Sequence, residues 1–193
     1  MLLKIIMIAS VMAIPSVQSI FASQMKLSPR GNEFHGRNSL DLIGSTNTPK
    51  LLRCAGLCNI NRACRTFDYD FSSGRCRLFE SDLTAGSIVP STSPASIVGS
   101  VYLSPALFLP VYNQPCQTCE ENRYVLCPSN TAACQCPSHT YWNGSMCLLQ
   151  LIGNSTCSQA DACRMDLNLT CSMDGYGRFI QCAPGTTEES NEE

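Results

Sequence analysis

Fourteen cysteines, all between Cys54 and Cys182, constrain this chain more than any other feature. Cys54, Cys58, Cys64 and Cys76 form a compact group. Ten more, Cys116, Cys119, Cys127, Cys134, Cys136, Cys147, Cys157, Cys163, Cys171 and Cys182, crowd the C-terminal third. An even count in a small chain fits a disulfide framework, but the same residues could hold zinc, and the compartment decides between them.

The N-terminus reads MLLKIIMIASVMAIPSVQSIFAS. Lys4 supplies a positive start, Ile5 to Ile14 an apolar run, and Pro15 breaks it. Small residues then offer cleavage after Ser19, with Val17 at the −3 position, or after Ala22 or Ser23. Residues 1–22 are therefore expected to be a secretory signal peptide, too short and wrongly flanked for a transmembrane span. The competing reading is an uncleaved signal anchor, against which Pro15 and the small residues speak. The most apolar later stretch, Val101 to Tyr112, carries two prolines and is too short to cross a bilayer. The final TTEESNEE has no hydrophobic tail for a lipid anchor. A secreted, extracellular protein is expected, and secretion turns the cysteines into disulfides. Three sequons, at Asn143, Asn154 and Asn168, then mark expected glycosylation sites.

Charge excludes some partners. Without Lys4 the chain has 12 basic and 15 acidic side chains, a balance near −3, and no basic stripe for nucleic acid or anionic membrane. The segment Pro90 to Pro115 has no cysteine before its end and five prolines, so two units are expected, joined by a linker over 105–115.

In the first unit, Thr48 is suited to an N-cap and Pro49 to the first helical position, and KLLRCAGLC follows. Cys54 and Cys58, four apart, fall on one helix face, with Leu51 and Leu52 widening it. The helix should end near Asn59 to Asn61. Arg65 to Asp70 then alternates polar and apolar, with Phe67 and Tyr69 on the buried face and Cys64 in the entering loop. Ser72, Ser73 and Gly74 form a turn, and Arg75 to Glu80 returns as a strand. Arg62, Arg65, Arg75 and Arg77 could form a small basic surface for a sulfated glycan, yet Asp68, Asp70, Glu80 and Asp82 nearly cancel them. A solvated strand face is the preferred reading.

Cys54-x3-Cys58-x5-Cys64, FDYD, a short turn, Cys76-Arg-Leu-Phe-Glu and Gly86-Ser-Ile together resemble the PAN/Apple domain family over about residues 34–104. Ser96-Ile-Val-Gly-Ser-Val-Tyr resembles its closing strand. The resemblance implies a small disulfide-rich α+β fold, a five-stranded antiparallel sheet around one helix, bridged Cys54–Cys76 and Cys58–Cys64. It also implies binding to proteins or carbohydrates, without catalysis. The third bridge that many members use to join their domain ends has no counterpart, because no cysteine precedes Cys54.

In Cys116–Cys182 aliphatic residues are too sparse for an ordinary core, so bridges must carry the fold. Cys134-Gln-Cys136, an aromatic pair, Asn143-Gly144 and Cys147 resemble the closing loop of EGF-like and EB-type modules. That resemblance implies a Cys136–Cys147 bridge over a hairpin turned at Asn143-Gly144. A weak internal repeat sets Cys116-x2-Cys119-x7-Cys127 against Cys157-x5-Cys163-x7-Cys171. It suggests a six-cysteine module and a degenerate four-cysteine one, ahead of an acidic tail at 183–193. Zinc finds poor support, since His35 and His139 lack ligand-like spacing. Tyr141 and Trp142 are expected to cover disulfides rather than stack on a sugar. No catalytic motif occurs, and no metal, cofactor or catalytic residue is expected. The expected function is extracellular binding or adhesion, to a protein or a carbohydrate, through the PAN/Apple-like domain. The alternative is a secreted cysteine-rich protease inhibitor or toxin-like effector acting through residues 116–182.

Overall fold

The computed structural model describes residues 23–185, which divide into two compact units between Pro137 and Ser138. The expected signal peptide and the last eight residues of the acidic tail lie outside the described residues.

The first unit is a small disulfide-rich α+β structure. Its strands are β1 (Met25–Leu27), β2 (Asn32–His35), β3 (Leu42–Asn47), β4 (Thr66–Asp70), β5 (Arg75–Phe79), β6 (Ser87–Pro90) and β7 (Ser96–Val101), with one helix, α1 (Leu51–Ile60). Five of them form an antiparallel sheet in the order β1-β7-β4-β5-β3, while β2 and β6 pair as a separate ribbon. Helix α1 packs on one face of the sheet against β4 and β5, and β2 packs on the other against β4 and β7. Every residue of β4 is consequently buried.

Alternation along β4 therefore sorts two buried faces, not a wet one and a dry one. Phe67 and Tyr69 turn toward α1, and the Tyr69 hydroxyl donates to Thr48 O at 3.1 Å. Asp68 turns toward the ribbon. It accepts the Phe34 N–H at 3.2 Å and the Arg77 Nε–H at 2.9 Å, with a further contact from Arg77 Nη2. Around this pair Phe34, Phe79 and Val98 form an apolar cluster, with Phe34 edge-on to Phe79 at 5.0 Å. The sheet tolerates no side chain at Gly99: an added Cβ would lie 2.2 Å from the Phe67 ring.

The helix begins later than its sequence signals suggest. Lys50 occupies the N-cap position, not Thr48, and α1 runs to Ile60 with Asn61 as C-cap. Thr48 is instead drawn into the β4–β5 turn, where its N–H donates to Gly74 O at 2.8 Å. Gly74 has φ +73°, and a Cβ there would meet Thr48 O, so the turn and the chain entering α1 specify each other.

The larger departure concerns residues 105–137. They do not form a linker followed by a separate module, because the first compact unit extends through Pro137. Phe108 is fully buried and packs on Tyr124, with ring centroids 5.5 Å apart. Arg123, 3% exposed, donates to Cys58 O at 3.2 Å and to Asn61 O at 3.0 Å, and contacts Cys64 O. These are carbonyls at the end of α1 and its following loop, where a helix leaves acceptors without partners. Burial pushes the Arg123 guanidinium down to about 10. The Arg62 guanidinium returns the contact by donating to Glu120 O at 3.0 Å. Bridges Cys116–Cys127 and Cys119–Cys134 close this segment.

The second unit has two hairpins, β8 (Thr140–Trp142) with β9 (Cys147–Leu149), and β10 (Leu169–Met173) with β11 (Phe179–Pro184). Bridges Cys157–Cys171 and Cys163–Cys182 pack with Tyr141 and Ala162 as its core. Leu148, Leu151, Leu169 and Phe179 lean against that core.

Two outcomes follow. Gly99→Ala forces the Phe67 ring to move and should cost about 1–3 kcal/mol, read as a lower urea midpoint at unchanged slope. Arg123→Ala removes the guanidinium from the buried Cys58 and Cys64 carbonyls and should cost at least about 2 kcal/mol, with Arg123→Lys restoring only part of it. A loss under about 0.5 kcal/mol, the size of an ordinary surface substitution, would show that Arg123 does not hold 105–137 in place.

Candidate binding surface

The cysteine sites occupy defined positions. Cys54–Cys76 joins α1 to β5, and Cys58–Cys64 ties the end of α1 to the loop entering β4. All four are fully buried. Cys136 and Cys147 are disulfide-bonded too, and no described cysteine is free. The groups Cys116 to Cys134 and Cys157 to Cys182 share one pairing order, first with third and second with fourth, which the spacing of the repeat did not specify. Cys157, Cys163 and Cys182 bring their sulfurs within 4.8 Å of one another, but each is spent in a bridge, so the cluster offers no thiolate to a metal.

The four arginines of the hairpin region do not make a basic surface. Arg65 is 4% exposed, and burial pushes its guanidinium down against the pull of Asp82, Tyr124 and Glu80. Arg77 is raised by its hydrogen bond to Asp68. Arg75 and Arg77 both face Glu33, at 3.6 and 3.7 Å. The Glu33 carboxyl is lowered chiefly by its hydrogen bond to His35, whose Nε2 lies 3.0 Å away. The charges pair locally, and Arg62 is spent on Glu120 O.

The β4–β5 turn presents an aromatic ring beside a cation and a set of hydroxyls. Phe71, 40% exposed, stands edge-on to Tyr69 at 5.0 Å, and the Arg30 guanidinium lies 4.6 Å from its ring centre. Beside it, the Asp70 carboxylate accepts from the hydroxyls of Ser72 and Ser73, each at 2.7 Å, and of Ser93 at 2.8 Å. These hydroxyls, led by Ser72 and Ser73, hold the Asp70 carboxyl well below its ordinary value. The cluster offers one aromatic face, one cation and a fixed set of polar groups. Such a set stacks on and hydrogen-bonds to a polar ligand. Sequence reasoning passed over Arg30 and Phe71. Phe71 continues the parity of Phe67 and Tyr69, and only its place beyond Asp70, outside the strand, signals exposure.

The three sequon asparagines, Asn143, Asn154 and Asn168, are exposed. Asn143 heads the β8–β9 turn, its Oδ1 accepting the N–H of Ser145 and of Met146 while Gly144 takes φ +96°. Asn168 sits in the left-handed region at φ +54°. Among the aromatics expected to cover bridges, Tyr141 packs against the cysteine core, while Trp142 stays half-buried. His139 faces Asp166 at 3.5 Å.

The PAN domain family model matches residues 31–101. That span takes in the helix, the Cys54–Cys76 and Cys58–Cys64 bridges and the strands from β2 to β7. Residues 31–101 therefore carry a PAN domain, a module that binds proteins or carbohydrates. No match is found among curated proteins.

Asp70 sets an acid dependence. Its folded pKa lies below the ordinary 3.8, so its contribution is present above that value and is lost as pH falls through and below it. Asp70→Asn should lower stability at neutral pH and give a flatter fall of Tm between about pH 5 and pH 2 than the parent chain. An unchanged acid profile would mean that the serine hydroxyls do not bind the carboxylate in solution.

Proposed function

We propose that this is a secreted, glycosylated, non-enzymatic binding protein that recognises an extracellular protein or carbohydrate through its PAN domain. The observation that carries the reading is the match of residues 31–101 to that domain, on a scaffold with both of its bridges in place. Complete oxidation of the described cysteines supports an oxidising compartment, and the exposed sequons support glycan attachment at Asn143, Asn154 and Asn168. The ligand surface is the Arg30–Phe71 cluster with the hydroxyls around Asp70. An EGF/EB-like identity for the cysteine-rich region is supported by the hairpin turned at Asn143-Gly144.

One feature favours the inhibitor reading. At the tip of the β10–β11 hairpin, Tyr176 is 88% exposed, and Asp174 accepts the N–H of Tyr176 and Arg178, both at 2.9 Å. A rigid tip of this kind could enter a protease cleft.

The deciding experiment presents the intact secreted chain to glycan and cell-surface protein arrays and to a protease panel. Saturable binding that Arg30→Ala and Phe71→Ala each weaken about tenfold is expected, with no protease inhibited. Inhibition lost on Tyr176→Ala, with binding indifferent to Phe71, would replace the adhesive reading with the inhibitory one. Release of N-glycans should lower the intact mass.

A further inference from the structure

At the β4–β5 turn the direction of each hydrogen bond sets what a ligand has to offer. The Asp70 carboxyl, held well below its ordinary value chiefly by Ser72 and Ser73, is ionised at neutral pH and can only accept. The hydroxyls of Ser72, Ser73 and Ser93 each donate to it, at 2.7, 2.7 and 2.8 Å. A serine hydroxyl has one proton to give. With that proton committed to Asp70, all three oxygens are left to a ligand as acceptors alone, made more basic by the charge they bind. Ser73 Oγ also accepts the Arg75 N–H at 3.3 Å, which leaves Ser72 and Ser93 with the greater capacity.

Ser72 lies in the β4–β5 turn and Ser93 in the loop between β6 and β7, yet their oxygens stand 3.3 Å apart. Two acceptors at that separation match two adjacent hydroxyls of one ligand, each giving its proton to one serine. Charge closes at the same place. The Arg30 guanidinium and the Asp70 carboxylate contribute one charge of each sign, while Arg75 and Arg77 turn to Glu33. A sulfate or carboxylate would bring acceptors to meet acceptors. A cationic ligand has protons to donate, but Arg30 already covers the Phe71 ring at 4.6 Å and repels a second cation.

We infer that the ligand of this surface is a neutral, hydroxyl-dense carbohydrate: two adjacent hydroxyls donate to Ser72 and Ser93 Oγ, and the sugar's C–H face rests on Phe71. Arg30 supplies the donor that the serines lack, for a sugar oxygen that carries no proton. The assignment rests on the reading of the PAN domain as the binding unit and narrows it, setting aside sulfated and sialylated glycans.

The test presents the intact folded chain with neutral oligosaccharides and with their sulfated and sialylated counterparts. Neutral forms should bind at least about tenfold more tightly, the cost of one or two unmatched hydrogen bonds. Their affinity should change by less than about twofold between about 0.05 and 0.5 M salt. Ser72→Ala and Ser93→Ala should each weaken binding about tenfold, and Ser93→Thr, which keeps the hydroxyl, should restore it. Phe71-dependent binding that prefers sulfated or sialylated glycans, or that falls steeply with salt, overturns the neutral-sugar assignment and leaves the surface standing. Phe71-dependent binding of a protein with no sugar bound overturns it equally. Binding indifferent to both Phe71→Ala and Ser93→Ala removes the surface itself, and binding to no sugar and no protein removes the reading on which it rests.

Discussion

Burial of β4 on both faces is the constraint from which the first unit follows. A strand covered twice needs two separate covers, and each is fastened by different chemistry. On one side α1 is held by covalent bonds, Cys54–Cys76 to the neighbouring strand and Cys58–Cys64 to the entering loop. Each bridge is worth about 2–4 kcal/mol to so small a domain. On the other side the β2–β6 ribbon is held by the Phe34–Phe79–Val98 cluster and by Asp68. A buried carboxylate is costly alone, and its pairing with Arg77 and the Phe34 N–H makes ribbon, central strand and β5 interdependent. The ribbon brings Glu33 next to Arg75 and Arg77, which is why those arginines are not available as a basic patch.

The helix, the hairpin and the two bridges of the PAN domain were legible because local chemistry and family pattern agree there. Cysteines four apart, an alternating FDYD and a Ser-Ser-Gly turn each point to the same elements. Thr48 misled because cap preference is a local rule, while the residue is claimed by a tertiary contact to Gly74. Reading β4 as half-buried failed for a similar reason: alternation reports two faces and is silent on whether both are covered.

The extent of the first unit was the least legible part. Prolines and a gap in the cysteines look like a linker, yet the end of α1 exposes carbonyls that something must satisfy, and Arg123 does so from more than sixty residues away. Only the fold brings those groups together. The consequence is physical: the segment closed by Cys116–Cys127 and Cys119–Cys134 is part of the platform on which the PAN domain helix ends, so the family match at 31–101 is shorter than the unit that folds around it. The candidate ligand surface shows the same limit. Arg30 and Phe71 are 41 residues apart and meet only because β1, β7 and β4 are neighbours in the sheet.

The fold requires that the two cysteine sets close separately, one around the helix and one beyond Pro115. Peptide mapping of the secreted protein under non-reducing conditions tests this most directly. It should recover Cys54–Cys76 and Cys58–Cys64, together with Cys116–Cys127, Cys119–Cys134, Cys157–Cys171 and Cys163–Cys182. A bridge linking any of Cys54, Cys58, Cys64 or Cys76 to a cysteine beyond Pro115, or free thiols carrying bound metal, would contradict it.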